Sequence, residues 1–353
     1  MKNNKVYEYP DAYFRYVDRA VILDHKDDML YILSYDDDKV FHEEMKEVLS
    51  KKVKNTEESI EELGLPKIKL RKNKKEYISL IEECKEYIVK GESYEICLTN
   101  RMDIDRHLDP VKYYKILRSI SPAPYSALLN FDEISIASSS MERFLKINKD
   151  GIMETKPIKG TIKRGKDDIE DKRLMDSLKE EIKTKAENLM IVDLLRNDLG
   201  KVAKVGTVNV PKLMEVETYS TLHQLVTTIK GELEDEYDII DALKVVFPGG
   251  SMTGAPKKRT LEIIDKLEDF PRGVYSGAIG YISNNNTLDF NIVIRTAVIE
   301  KNRTTLGVGG AIINLSDSKE EFEEILLKAK GVLRSVNKYY GLLESEDIKI
   351  EGI

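Results

Sequence analysis

Several places in this chain carry residue types and spacings that could do chemistry. Lys159 stands in Pro157-Ile158-Lys159-Gly160-Thr161, where a proline-fixed turn and a flexible glycine would present an amine on a constrained backbone. Such a lysine is either a reactive amine or one more solvated surface charge. Glu321, Glu324 and Lys328 recur at i, i+3 and i+7 and so share one helical stripe. That stripe is either a surface ion-pair ladder or a pair of carboxylates offering oxygen to a hard cation such as magnesium. Glu187 is a second acidic source, on a helix whose face continues through Met190, Leu194 and Asp198. Arg295 interrupts the apolar run Ile292-Val293-Ile294-Arg295-Thr296. A guanidinium there needs an anion, from the protein or from a ligand bound bidentately. Gly309 and Gly310 either let a backbone approach a ligand or mark a β-bulge.

The elements that must hold these residues follow from periodicity. Ala20–Leu23 and Met29–Leu33 flank a polar turn, a strand-turn-strand pattern. Tyr77, Ile78, Ile81, Cys84, Tyr87 and Ile88 recur at helical spacing, and Gly91 ends that helix. From Val274 to Ile313 three β-rich runs are separated by Asn284-Asn285-Asn286 and Lys301-Asn302-Arg303, which predicts an antiparallel meander. A helix opening at Pro256 carries Leu261, Ile264 and Leu267. The last helix is capped near Ser316-Asp317 and buries Phe322, Ile325, Leu326, Ala329, Val332 and Leu333. Antiparallel sheets packed as a sandwich-like core with helices outside make an α+β fold. The Gly249–Lys257 segment is no P-loop, because Gly254 is followed by Ala-Pro instead of Lys-Ser or Lys-Thr. It reads as a glycine-rich strand-to-helix turn that sets Ser251 and Thr253 at a pocket.

Bulk properties bound the function. A chain of 353 residues with 41% hydrophobic content can bury a proper core, and a net charge of −7 argues against nucleic acid as partner. Residues 1–72 are expected to form a short N-terminal portion plus a charged linker, with Lys51–Glu76 as a surface excursion, packed on a main body at residues 73–353 to make one structural domain overall. Cys84 and Cys97 make no disulfide framework and no metal-type spacing. Met1–Pro10 has no apolar leader and no run is long enough to span a membrane, so a cytoplasmic, soluble protein is expected.

Taken in order, Pro157–Thr161, Glu187-Asn188-Leu189-Met190 with Arg196-Asn197-Asp198, Gly249–Lys257 and Glu321-Phe322-Glu323-Glu324 resemble the chorismate-utilising enzymes. Lys159 and Gly91-Glu92-Ser93-Tyr94-Glu95-Ile96-Cys97-Leu98-Thr99-Asn100 resemble the branch of that family that makes aminodeoxychorismate. The resemblance implies magnesium held by Glu187 and Glu324, with Glu321 close by, and Lys328 facing the ring carboxylate of chorismate. It assigns Arg295 to the other substrate carboxylate with Tyr275 beside it, Gly309 and Gly310 to backbone contacts, and Glu142 to the general acid that removes the C4 hydroxyl. Glu142 by itself would read equally as a structural salt bridge. Lys159 is then the nucleophile at C2, which requires a lowered amine pKa, and ammonia enters at C4. Anthranilate synthases usually carry alanine there, whereas isochorismate and salicylate synthases have a lysine that activates water. The family histidine falls at Gln224, with His223 next to it as the substrate-binding candidate. No glutaminase can be placed in the chain, so a separate glutamine amidotransferase subunit or free ammonium is the expected ammonia source. The remaining alternative is a non-catalytic chorismate-binding subunit.

Overall fold

The computed structural model describes residues 7–51, 64–219, 222–343 and 345–353. The chain divides into two compact units, Tyr7–Glu62 and a larger one running from Leu63 to Ile353. In the smaller, Arg19–Asp24 and Met29–Ser34 pair antiparallel, as the apolar runs around the polar turn require, and a helix follows at Lys39–Ser50.

The larger unit is built on two sheets and has the expected α+β architecture. An eight-stranded sheet runs Ile350–Glu351, Ile68–Leu70, Glu95–Ile104, Thr304–Ile312, Thr296–Glu300, Ile134–Ser140, Tyr125–Asn130, with Gly254–Ala255 also pairing on Glu95–Ile104. A seven-stranded sheet runs Asn209–Thr218, Leu222–Glu232, Ile152–Lys156, Arg143–Ile147, Thr287–Ile292, Ala278–Ser283, with Ile158–Lys163 also on Leu222–Glu232. Apart from the short parallel pair at Ile350–Glu351, the strands are antiparallel. One apolar core joins the first sheet to the helices Lys74–Val89, Pro110–Ile120, Lys257–Leu267 and Ser318–Tyr339. A second joins the other sheet to Ile182–Gly200 and Ile239–Val246.

Three expectations need correction. The meander is two hairpins in two sheets: Ala278–Ser283 with Thr287–Ile292, and Thr296–Glu300 with Thr304–Ile312. The chain changes sheet at Val293–Arg295, where Arg295 takes φ +52°, a left-handed backbone that ends strand pairing. Pro256 caps its helix from outside, with an extended ψ of 135°, so the helix begins at Lys257. Residues 64–76 of the charged stretch are built into the larger unit. Ile68 and Leu70 are buried on one face of a sheet strand, and Asn73 forms a capping box with Glu76 for the helix Lys74–Val89. The part of that excursion at residues 52–63 lies outside the described residues.

Candidate active site

The strand Ile158–Lys163 places Lys159 in the interior, its side chain 10% exposed. Gly160 beside it has φ +85°, and a Cβ there would fall 2.7 Å from Thr184 Cγ2 and 2.9 Å from Leu178 Cδ1, so glycine suits this point of the strand, where a turn was expected. The Lys159 ammonium donates to Glu95 Oε1 at 2.8 Å and lies 3.7 Å from Glu187 Oε2. Burial alone would favour the neutral amine, but Glu95 and Glu187 outweigh it and hold the lysine well above its ordinary range. The expected lowered pKa is therefore overturned in this arrangement: two carboxylates stabilise the ammonium. Glu95, on the strand Glu95–Ile104, was not singled out as a site residue. Its side chain is 1% exposed and its Oε2 has no hydrogen-bond partner among the described residues. Along the chain Glu95 is marked only by standing at the head of the apolar run Ile96-Cys97-Leu98.

The helices Ile182–Gly200 and Ser318–Tyr339 meet through a second overlooked residue, Lys183. Its Nζ lies 2.6 Å from Glu321 Oε1, 3.8 Å from Glu187 Oε1 and 3.9 Å from Glu324 Oε2. The acidic stripe of the last helix is thus divided: Glu321 is turned inward, 1% exposed, whereas Glu324 stays 40% exposed. Lys328 closes the group, 2.6 Å from Glu324 Oε1, and donates to Gly309 O at 3.1 Å. Burial raises the carboxyl of Glu187, opposed by Lys159, whereas Lys328 and its hydrogen bond bring Glu324 below the ordinary range against burial. The donor types suit a hard divalent cation, all of them carboxylate and with Glu321 Oε2 buried without a hydrogen-bond partner among the described residues, although the oxygens are gathered around Lys183 and not spaced for an ion. Gly310 leaves room beside them, because a Cβ would stand 3.3 Å from Glu321 Oε2. The strand carrying Gly309 and Gly310 pairs in unbroken register from Thr304 to Ile312, so no bulge accounts for the two glycines.

Arg295 is half-buried and takes part in no ion pair among the described residues. Its Nη1 donates to the carbonyl of Lys328, which satisfies one donor and leaves the charge unmatched. Desolvation brings its guanidinium down to about 10, with Tyr275 and Glu324 opposing. The Tyr275 ring covers Gly307 so closely that a Cβ there would fall 2.0 Å from it. Glu142 is buried and its carboxyl is pushed up to about 7 by desolvation, although the Ser251 hydroxyl, Lys159, Lys328 and the Ile158 N–H all oppose the rise. A protonated carboxyl thus sits within the field of Lys159 near neutral pH.

Two expected residues do not join this group. His223 is fully buried, with Nε2 2.9 Å from Asp171 Oδ1 and Nδ1 2.9 Å from Thr218 Oγ1. Alternation along the strand Leu222–Glu232 puts Gln224 on the other face, where its Nε2 meets Met141 Sδ at 2.8 Å, next to Glu142. The Thr253 hydroxyl is used by its own turn, donating to Gly249 O and Gly250 O. Ser251 does reach the site, through Glu142. A final pair joins two of the motifs: Lys257 Nζ lies 2.5 Å from Asp198 Oδ2 and donates to Pro248 O at 2.8 Å, fixing the Gly249–Lys257 turn against the helix that carries Glu187.

Residues 2–334 match the family of chorismate binding enzymes. The chain is 46% identical to the chloroplastic aminodeoxychorismate synthase of Arabidopsis thaliana, over 94% of this chain and 38% of that protein. It is 46% identical to the aminodeoxychorismate synthase of Streptomyces griseus, over 97% of this chain and 49% of that protein. Among solved structures it resembles anthranilate synthase component I from Streptococcus pneumoniae, with a TM-score of 0.79 and 29% identity over 89% of this chain and 72% of that one. The chain thus spans less than half the length of those two curated synthases. Among the described residues no helix is long and apolar enough to cross a membrane.

Proposed function

Given that the chain belongs to the chorismate-binding enzymes, we propose that it aminates chorismate at C4 to give 4-amino-4-deoxychorismate. Ammonia comes from a glutamine amidotransferase and the reaction runs in the cytoplasm. The observation that carries this reading is the Lys159 amine, held by Glu95 at 2.8 Å, with its field reaching a Glu142 carboxyl that keeps its proton up to about 7.

Chorismate is a dianion, and the site has cations for it. Arg295, without a carboxylate partner of its own, pairs with the enolpyruvyl carboxylate beside Tyr275, and Lys328 faces the ring carboxylate. Glu187, Glu324 and Glu321 would hold magnesium, which would supply Lewis-acid neutralisation of the ring carboxylate. Lys159 must lose a proton before it attacks, and Glu95 is the acceptor in hydrogen-bond contact with it. The Lys159 nitrogen then bonds to C2, the ring double bonds shift, and the C4–O bond breaks as Glu142 gives its proton to the departing hydroxyl, which leaves as water. Ammonia attacks C4, the double bonds shift back, and the C2–N bond to Lys159 breaks.

Incubating the purified protein with chorismate, magnesium and ammonium and identifying the product tests this. Aminodeoxychorismate is the expected product. Anthranilate would mean that ammonia attacks C2 without Lys159, isochorismate or salicylate that Lys159 activates water, and no turnover that the chain only binds chorismate. Each of those three outcomes overturns the reading.

A further inference from the structure

The carboxylates assigned to magnesium are already gathered around a cation, the Lys183 ammonium. Glu321, Glu187 and Glu324 each aim one oxygen at it, at 2.6, 3.8 and 3.9 Å. Magnesium holds its oxygens at about 2.1 Å, a contraction that an ammonium in the middle forbids. Among the described residues no group of three acidic, histidine or cysteine side chains is arranged to hold an ion as it stands. Charge points the same way. Glu95, Glu187, Glu321 and Glu324 face Lys159, Lys183 and Lys328, four charges against three. A dication added to that set meets a net charge of only minus one, and the departure of one ammonium doubles it.

The lysine is the part free to move. Glu321 is 1% exposed and fixed in the last helix, whereas the Lys183 side chain is 29% exposed and springs from the first turn of the helix Ile182–Gly200. Its flexible four-carbon stem can carry the ammonium into water while the carboxylates stay in place. We infer that Lys183 is a tethered counter-cation. It holds the two acidic helices together when no metal is present and is exchanged for the divalent cation on binding, so that the swap sets the metal affinity. The inference rests on the magnesium reading above and adds to it a residue that opposes metal binding.

Calorimetric titration of magnesium chloride into the whole protein, Lys183→Met and Glu324→Gln separates the two ideas. Lys183→Met should bind about tenfold more tightly or better, since it removes a charge that competes for the same oxygens, and Glu324→Gln should lose binding. Binding detectable only in Lys183→Met also supports the swap. Equal or weaker binding by Lys183→Met, with Glu324→Gln still impaired, overturns the swap and leaves the magnesium reading intact. Binding that ignores Glu324→Gln, or that is absent from both wild type and Lys183→Met, overturns both. If Lys183→Met does not fold, acetylation of the wild-type protein read by mass spectrometry decides. Lys183 should label several-fold faster with magnesium than without, and unchanged or slower labelling overturns the swap.

Discussion

Lys159 and Arg295 are both cations largely withdrawn from water, yet their surroundings move them in opposite directions. Lys159 faces Glu95 at 2.8 Å and Glu187 at 3.7 Å, and although burial works against it these carboxylates raise its proton affinity. Arg295 has a backbone carbonyl and a phenol nearby, and burial lowers its proton affinity. The first cation is saturated with charge from the protein, so it has little left to offer an anionic ligand. The second has paid desolvation without a partner, a state tolerated where a ligand supplies the missing anion. One region is therefore suited to proton transfer and bond making, the other to binding.

That contrast predicts different kinetic failures. Lys159→Ala should reduce aminodeoxychorismate formation by about 10⁴-fold or more in kcat while chorismate binding persists, because a nucleophile is lost and a binding charge is not. Product formation at the wild-type rate would remove Lys159 from the chemistry. Arg295→Ala should raise KM for chorismate about a hundredfold, the scale for deleting one member of a buried charge pair. Arg295→Lys should recover part of it, since the charge returns without the bidentate fork. An Arg295→Ala effect confined to kcat would break the division between the two regions. Glu95→Gln keeps the shape but cannot take a proton from Lys159, so steady-state rates should show kcat lower by about 10² with KM little changed. Equal loss in KM would place Glu95 on the binding side.

The smallest expected effect concerns Glu142, which lies in the field of Lys159 and Lys328. Its carboxyl holds a proton up to about 7 in the folded protein against 4.5 ordinarily. The folded chain therefore binds the extra proton between those values. Its contribution to stability is present below 4.5 and lost as pH rises through about 7. Thermal melts should show Glu142→Gln gaining on wild type by roughly 2–4 °C between pH 5 and pH 8. A difference independent of pH would mean that Glu142 is ionised throughout and cannot serve as the acid.

Much of this site could be read along the chain, and what was missed has a common cause. Lys159, Glu142, Glu187, Glu324 and Lys328 each sit in a short segment of unusual composition, and all of them converge. Lys183 looked like any lysine beside Lys185, and Glu95 like one acid among many. Both became site residues only because a distant strand or helix brought an opposite charge within a few ångströms. His223 shows the converse. A neighbour in sequence on a strand points to the opposite face, and Asp171, 52 positions away, claims the imidazole.

The sequence by itself determined the elements, through the periods of the apolar residues, and it determined the chemistry available, through the presence of an amine, a set of acids and a guanidinium. Only the tertiary structure decided what state those groups are in. The run from Thr287 to Glu300 divides between two sheets at Arg295, and Glu321 turns inward to meet Lys183 from another helix. Lys159 stays charged because Glu95 and Glu187 outweigh its burial. The reason is physical: the charge state of a buried group depends on which opposite charges lie within a few ångströms and how much water is excluded. Both are set by packing between segments far apart in the chain.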